Sequence, residues 1–367
     1  MENLGLTERD AFWRGRRVLL TGHTGFKGAW MALWLTRLGA RVSGLALPPD
    51  TSPNLFDILS PWPGLVSHIG DLRDAALVRA AVEESDPEIV LHMAAQAFVR
   101  RSFREPVETF STNVMGTAHL LAALRDRPLL RAVLVVTSDK VYENRETGKA
   151  FSEGDALGGD DPYSASKAAT EILVQSWRRS FLEGAGAPAL GSARGGNVIG
   201  GGDWGEDRLV PDILRAAEKG ERPVLRYPDS IRPWQHVLDV IAGYEAHVRN
   251  LACGGAVPFS LNFGPDPGDG VLKVREVVEL LQNALGRKDG WRLAETPSMP
   301  EKKLLALSPA RARESLGWRI ALPAPEALSW VAAWHRAQKE GADMRAVSLA
   351  QIAAHEILVR WPEPAHA

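Results

Sequence analysis

The residues best suited to chemistry in this chain are a tyrosine and a lysine four positions apart. Tyr163 and Lys167 belong to the segment YSASK, in a stretch with helical periodicity, so both side chains lie on one face of the predicted helix. A lysine ammonium near a tyrosine phenol favours the phenolate, which lowers the phenol pKa and makes it a proton acceptor for a hydroxyl group. Such a pair also occurs on solvated helix surfaces, so the residues around it must indicate whether it is catalytic.

Three more polar residues follow a predicted buried strand. Ser138, Asp139 and Lys140 come directly after AVLVV and Thr137. Ligands bind at the carboxyl ends of strands in open parallel sheets, so Ser138 is expected to hydrogen-bond the same substrate oxygen as Tyr163. Asp139 is a candidate acid and Lys140 a candidate base. An acid must be protonated and a base must be neutral, whereas an ionised Asp-Lys pair stabilises the charged form of each side chain. The alternative interpretation is therefore an ion pair in a surface loop.

A glycine motif follows an earlier strand. Gly22, Gly25 and Gly28 form G-x-x-G-x-x-G between a predicted strand and a predicted helix. Glycines allow a tight turn and let backbone N–H groups approach a pyrophosphate at the helix N-terminus. The sequence therefore predicts a dinucleotide site here, with Asp71 after the third strand as a contact for adenine. We interpret His92, at the end of the fourth strand, as a packed histidine.

The acid that usually follows the second strand of a dinucleotide fold is missing. Such an acid binds the adenosine ribose hydroxyls. Leu45, Ala46 and Leu47 occupy its place, and Asp50 lies several residues later. Lys27, inside the glycine motif, is placed to meet a phosphate, so this part of the sequence leaves both NAD and NADP open.

The elements that position these residues alternate between short apolar runs and helical segments. This alternation predicts an α/β fold with a doubly wound, Rossmann-type parallel sheet and a smaller mixed α/β substrate-binding domain. The predicted strands are 17–20, 41–46, 66–69, 89–92, 132–136 and 189–193, and the predicted helices include 25–38, 106–125 and 163–182, with a loop at 48–63. The predicted domains are 1–195 with 236–263, 196–235 with 264–345, and a C-terminal tail over 346–367.

Composition limits the function classes. Forty-three Lys and Arg against forty-five Asp and Glu give a net charge of −2, which offers no general attraction for nucleic acid or an anionic membrane. The single cysteine, Cys253, excludes an intramolecular disulfide and a cysteine-rich zinc site. The polar N-terminus has no signal-peptide pattern, so we expect a soluble cytoplasmic protein, and no cluster has metal-ligand spacing.

Seven segments together resemble the extended short-chain dehydrogenase/reductases that modify nucleotide sugars. They are TGHTGFKG, GDLRD, HMAAQ, TSDKVY, PYSASK, RGGNVIGGGDW and RPWQHV, within roughly residues 14 to 335. The glycine segment, the Asp139-Lys140 pair and the RPWQHV run are similar to the 4,6-dehydratases that act on CDP-D-glucose. Related dehydratases of dTDP-glucose carry Asp-Glu where this chain has Asp139 and Lys140.

The resemblance implies a lyase with bound NAD, CDP-D-glucose as substrate, a homodimer or higher oligomer, and a role in deoxysugar and lipopolysaccharide biosynthesis. The catalytic residues it implies are Ser138, Asp139, Lys140, Tyr163 and Lys167. The cofactor residues are Gly22, Thr24, Gly25, Phe26, Lys27, Gly28, Asp71, Leu72, Ala94, Ala95, Gln96, Tyr163 and Lys167. The substrate residues are Asn197 and Arg232, which match positions for the nucleotide diphosphate, and Arg208 and Lys303, for which a solvated surface position is the alternative. Two alternatives stay open: another nucleotide-hexose dehydratase or 4-epimerase, and a non-catalytic dinucleotide-sensing protein.

Overall fold

The computed structural model describes residues 8–182, 184, 186–266, 271–295 and 304–359. Its strands are β1 Arg17–Thr21, β2 Arg41–Ala46, β3 Leu65–Ile69, β4 Ile89–His92, β5 Ala132–Val136, β6 Ala189–Gly195, β7 Asn197–Ile199, β8 Val224–Leu225, β9 Ile231–His236, β10 Ser260–Phe263, β11 Val271–Lys273 and β12 Arg292–Leu293. Its α-helices are α1 Glu8–Trp13, α2 Phe26–Arg37, α3 Leu55–Ile58, α4 Ala75–Ser85, α5 Val99–Arg104, α6 Pro106–Phe110, α7 Gly116–Ala123, α8 Pro162–Phe181, α9 Leu209–Glu218, α10 Val237–Ala252, α11 Val274–Ala284, α12 Ala310–Leu316, α13 Ala324–Lys339 and α14 Met344–Leu358.

Seven strands form one parallel sheet, in the order β10-β6-β5-β4-β1-β2-β3. The central strands β4 and β5 are buried along their whole length because helices cover both faces. One apolar core contains α2 and α10, and a second contains α4 and α7. The strand order reverses between β1 and β4, which opens a crevice at their carboxyl ends. The predicted doubly wound sheet is confirmed.

The structure departs from two sequence predictions of local structure. Residues 48–63 are not all loop, since they contain α3, whose N-terminus is capped by the Asn54 side chain. The predicted helix 106–125 is interrupted by a π-helical turn, Ser111–Met115, and α7 ends at Ala123. In that turn the Asn113 amide donates to the Gln96 carbonyl and to Ser166 Oγ, contacts that periodicity could not reveal.

A smaller mixed sheet lies beyond the large one. Strand β9 pairs parallel with β7 and antiparallel with β11. Helices α9, α11 and α13 supply most of its separate apolar core. This small sheet carries two of the residues predicted to bind substrate.

The C-terminal segment is helical over Met344–Leu358. Its helix, α14, is tied to α10 by His355 Nε2 and Asp239 Oδ1, which lie 2.8 Å apart and fully buried. Trp334 of α13 also donates to Ser348 of α14 over 3.0 Å. The helix therefore packs as part of the folded core. Within the described residues, no helix has the length and apolar character needed to cross a membrane.

Candidate active site

The glycine turn after β1 leaves no room for larger residues. Gly22 has φ +79°, and a Cβ there would lie 2.7 Å from the Ala94 nitrogen. A Cβ on Gly28 would lie 1.9 Å from the Gly22 oxygen, which explains the close approach of α2 to β1. Gly25, exposed at the N-terminus of α2, provides no side-chain cap. The first N–H groups of α2 are therefore open to a ligand, as a pyrophosphate requires.

The other predicted cofactor residues surround this turn. Asp71 follows β3 and is held by Arg73, whose side chain donates to the carboxylate and keeps the Asp71 pKa below its usual value. Leu72 is buried, and its oxygen is 3.0 Å from His119 Nδ1. The Ala94 nitrogen donates to Thr21 Oγ1, which ties the end of β4 to β1.

No acid takes the place of the usual ribose ligand at the end of β2. Leu47 is half-exposed there, and its oxygen accepts a hydrogen bond from Thr24 Oγ1. The Asp50 carboxylate instead accepts a hydrogen bond of 2.7 Å from Arg101. Beside β2, the His23 ring packs so closely on Gly44 that a Cβ there would lie 2.4 Å from it.

Lys27 lies on the catalytic side of the glycine turn. Burial lowers the pKa of its ammonium to about 8, and the Arg208 charge adds to this effect. Its charge also interacts with Asp139, Lys140 and Lys167. A residue that binds the 2′-phosphate of NADP would lie at the end of β2, and Lys27 does not lie there.

The segment after β5 places an acid in the interior. Asp139 is 1% exposed, and its Oδ1 accepts from Ser138 Oγ at 3.0 Å and from Lys140 Nζ at 3.2 Å. Its Oδ2 has no hydrogen-bond partner within the described part of the chain. The Asp139-Lys140 ion pair exists, but it is not the exposed loop pair of the alternative interpretation. A buried carboxyl oxygen without a partner is suited to exchange a proton with a ligand.

Tyr163 and Lys167 lie on one face of α8, and both are buried. Burial raises the pKa of Tyr163 to about 12, although a hydrogen bond with Ser138 opposes the rise. In the protein alone the phenol pKa is therefore raised, not lowered. Burial and the Lys27 charge lower the pKa of Lys167 to about 7, so its own charge is weakened, and its Nζ donates to the Val136 oxygen at 3.2 Å.

Two predicted substrate residues share a face of the small sheet. Asn197 of β7 pairs with Trp234 of β9, and Arg232 lies two residues before that tryptophan. Alternation along a strand places Arg232 on the same face as Asn197. Arg208 is paired with Asp203, whose two oxygens are each 3.0 Å from its Nη1. Lys303 lies outside the described residues.

Several polar residues near the site have structural roles. His92 lies between Thr21 Oγ1 and Thr117 Oγ1, and burial lowers its pKa to about 3, which confirms the packed-histidine interpretation. Gln96 donates through Nε2 to Thr109 Oγ1. Its Oε1 accepts from the Phe98 nitrogen, so its side chain holds the loop after β4.

Sequence reasoning missed a buried ion pair between α8 and β6. Glu171 and Arg194 are 2.7 Å apart and nearly inaccessible to solvent. The available signal was the position of Glu171, four residues after Lys167 and on the same helix face. An acid on a face otherwise expected to be buried requires a partner.

A glycine turn open to a pyrophosphate and a Ser–Tyr–Lys set at the carboxyl edge of a parallel sheet are features of extended short-chain dehydrogenase/reductases. The family model described as GDP-mannose 4,6 dehydratase matches residues 19–329, and the chain belongs to this family.

Relatives and solved structures agree with this assignment. The CDP-glucose 4,6-dehydratase of Salmonella typhimurium is 44% identical over 347 residues, covering 93% of this chain and 96% of that protein. A dTDP-glucose 4,6-dehydratase of Xanthomonas campestris pv. campestris is 30% identical, covering 86% of this chain and 92% of that protein. The UDP-glucose 4-epimerase of Thermus thermophilus in complex with NAD is 27% identical with a TM-score of 0.74, covering 87% of this chain and 99% of that one. The dTDP-glucose 4,6-dehydratase of Bacillus anthracis, at 19% identity, shares the fold with a TM-score of 0.75, covering 89% of this chain and 99% of that one.

Proposed function

We propose that this protein is an NAD-dependent CDP-D-glucose 4,6-dehydratase, which converts CDP-D-glucose to CDP-4-dehydro-6-deoxy-D-glucose and water. The 44% identity to a CDP-glucose 4,6-dehydratase over nearly the whole chain supports the substrate. The observation that carries the reaction type is the buried Asp139, whose Oδ2 has no partner among the described residues.

The first half of the reaction needs a base at the C4 hydroxyl. Tyr163 takes that proton, and Ser138, which hydrogen-bonds Tyr163, orients the same oxygen. Lys167 lies one turn further along α8 and stabilises the phenolate when protonated. Bound NAD, held by the glycine turn, would supply the hydride acceptor for C4 and the hydride donor for C6, and its positive ring would favour the phenolate.

The second half removes water across C5 and C6. Oxidation at C4 acidifies the C5 proton, because the resulting carbanion is an enolate. Transfer of one proton from Lys140 Nζ to the Asp139 carboxylate, 3.2 Å away, leaves a neutral amine and a carboxylic acid. Lys140 then takes the C5 proton and Asp139 protonates the leaving C6 oxygen. Lys140 is 29% exposed, so its ammonium can exchange a proton with solvent between turnovers.

The substrate side is basic. We assign Asn197 and Arg232 to the diphosphate, since arginine binds phosphate bidentately and is always charged. Arg208 is already paired with Asp203, so it contributes through a shared ion pair. Lys303 stays a prediction from the resemblance.

The alternatives differ in what they require of Asp139. A 4-epimerase needs no acid at C6, and a dinucleotide sensor needs no proton-transfer residues at all. The test is incubation with CDP-, dTDP-, UDP- and GDP-glucose, followed by mass analysis of the products. We expect loss of one water from CDP-glucose without accumulation of reduced nicotinamide. An isomer of unchanged mass would indicate an epimerase, and steady release of NADH would indicate an ordinary dehydrogenase.

We propose that the protein forms at least a homodimer through α6–α7 and α8. These helices expose a set of large apolar side chains, namely Val107, Phe110, Met115 and Ile172. Pairing two helices from each subunit would bury that face in a four-helix bundle. Light scattering should therefore give at least twice the 39.9 kDa monomer mass at micromolar concentration.

A double substitution tests the same surface. Val107→Glu with Ile172→Glu should shift the mass to the monomer, because both residues are exposed on the proposed seam. Ile357→Glu, an exposed apolar position on α14, serves as the matched control and should leave the mass unchanged. A wild-type protein that remains monomeric would contradict the proposal.

Cofactor retention should be incomplete. Because no acid follows β2, we expect purified protein to carry less than full occupancy of NAD, added NAD to raise activity, and NADP to support a smaller rate. Leu47→Asp should tighten NAD and weaken NADP, measured by titrating protein freed of nucleotide. Tighter binding of NADP than of NAD by the wild-type protein would overturn the NAD assignment.

A further inference from the structure

The buried Glu171–Arg194 pair connects the elements that carry the reacting groups. Arg194 Nη2 donates to Glu171 Oε2 over 2.7 Å, and the side chains are 4% and 1% exposed. Buried ions cost stability unless further hydrogen bonds satisfy their remaining atoms. Two of these further hydrogen bonds are made with Thr137 and Tyr142. These residues lie at the two ends of the segment after β5 that carries Ser138, Asp139 and Lys140.

One contact holds the near end of that segment. Thr137, directly before Ser138, donates through Oγ1 to Glu171 Oε1 over 2.5 Å. Its backbone nitrogen donates to the Ala193 oxygen, one residue before Arg194. Both the side chain and the backbone of Thr137 are therefore fixed to the elements that carry the ion pair.

The other contact holds the far end. Arg194 Nη1 donates to the Tyr142 hydroxyl over 2.8 Å, and that hydroxyl donates to Asn262 Oδ1 over 2.6 Å. Tyr142 is 2% exposed, and its ring stacks on Phe151 with centroids 4.9 Å apart. The hydroxyl thus connects the segment to both β6 and β10.

We propose that the Glu171–Arg194 pair clamps both ends of the segment carrying Ser138, Asp139 and Lys140, and that Tyr142 is the positioning residue at its far end. Glu171 shares α8 with Tyr163 and Lys167. One ion pair therefore fixes the position of the groups that oxidise C4 relative to the groups that remove water.

This inference rests on the proposed function, since it assigns Tyr142 to the dehydration half. Tyr142 acts through Asp139 and Lys140 and follows them in the segment. Misplacing a reacting group by about 1 Å costs roughly 10²-fold in rate. Loosening the far end should affect water loss more than oxidation, because Ser138 remains next to the anchored Thr137.

Tyr142→Phe tests the far end, because it keeps the ring on Phe151 and removes only the hydroxyl. In a single turnover with CDP-glucose and NAD-loaded protein, we expect C4 oxidation within a few-fold of wild type. Water loss should slow by roughly 10²-fold, so reduced nicotinamide absorbance should accumulate. A purely structural role would lower both steps together and leave no accumulation.

Ser260→Ala is the matched control. Ser260 Oγ lies 3.4 Å from Glu171 Oε2 and 2.8 Å from Ser192 Oγ, inside the same buried network but without a hydrogen bond to the segment. We expect its partition between oxidation and water loss to equal that of wild type. Equal accumulation in Ser260→Ala and Tyr142→Phe would overturn the clamp.

A second pair of variants tests the near end and does not depend on the folding of Tyr142→Phe. Thr137→Val removes the hydroxyl that donates to Glu171 and should slow both steps, whereas Thr137→Ser keeps the hydroxyl and should restore them. Equal rates in these two variants would contradict the clamp.

A wild-type protein that removes no water from CDP-glucose would refute the proposed function, whereas an active wild type with an unaffected Tyr142→Phe would refute the clamp alone.

Discussion

Tyr163→Phe is expected to stop the reaction before C4 is oxidised. The variant loses the oxygen that accepts the C4 hydroxyl proton, while its ring still fills the buried site at the start of α8. Removing a general base costs roughly 10² to 10⁴-fold in rate. In a single turnover with NAD-loaded protein and CDP-glucose, no reduced nicotinamide absorbance should develop.

The control for this variant is cofactor binding. NAD should titrate Tyr163→Phe with an affinity within a few-fold of wild type, because the glycine turn and α2 are untouched. If Tyr163→Phe oxidises C4 at the wild-type rate, another group is the base and the assignment of Tyr163 is wrong.

Asp139→Asn should produce the opposite pattern. The amide keeps the size and burial of the side chain but cannot protonate the C6 oxygen, so water loss should slow by roughly 10² to 10⁴-fold. Oxidation at C4 should continue, because Tyr163 and Ser138 are retained. Reduced nicotinamide absorbance and a 4-keto-glucose intermediate should accumulate on the protein, as measured by stopped-flow absorbance and mass analysis after quenching.

Glu143→Gln is a matched control for Asp139→Asn. Glu143 follows the same segment, and its carboxylate is paired with Arg145 at the surface. Neutralising it should leave both half-reactions unchanged. If Asp139→Asn and Tyr163→Phe both stall before oxidation, the division of labour between the two residues is wrong.

The large sheet was predictable because its signals are local. An apolar run followed by a glycine turn predicted β1 and α2, and AVLVV predicted β5 with the same bounds that the structure shows. The start of α8 is likewise local, since the Asp161 carboxylate accepts from the Ser164 nitrogen three residues later. These patterns lie within a few residues of each other, where periodicity and capping rules apply.

The environment of the site was less predictable because it depends on residues distant in sequence. The spacing of Tyr163 and Lys167 predicted a lowered phenol pKa, yet burial raises the pKa of Tyr163 to about 12. Adjacent positions left open whether Asp139 and Lys140 are catalytic groups or an ion pair in a surface loop, and the structure shows an ion pair whose carboxylate is buried. Glu171 and Arg194 meet only because α8 packs against β6, a contact between residues that no short motif connects.

The most direct measurement follows a deuterium label placed at C4 of CDP-glucose. A dehydratase that keeps its cofactor bound transfers that hydrogen within one turnover, so the deuterium should be recovered at C6 of CDP-4-dehydro-6-deoxyglucose, with one water lost. Deuterium retained at C4 in a product of unchanged sugar mass, or released into free nicotinamide, would contradict the proposed reaction.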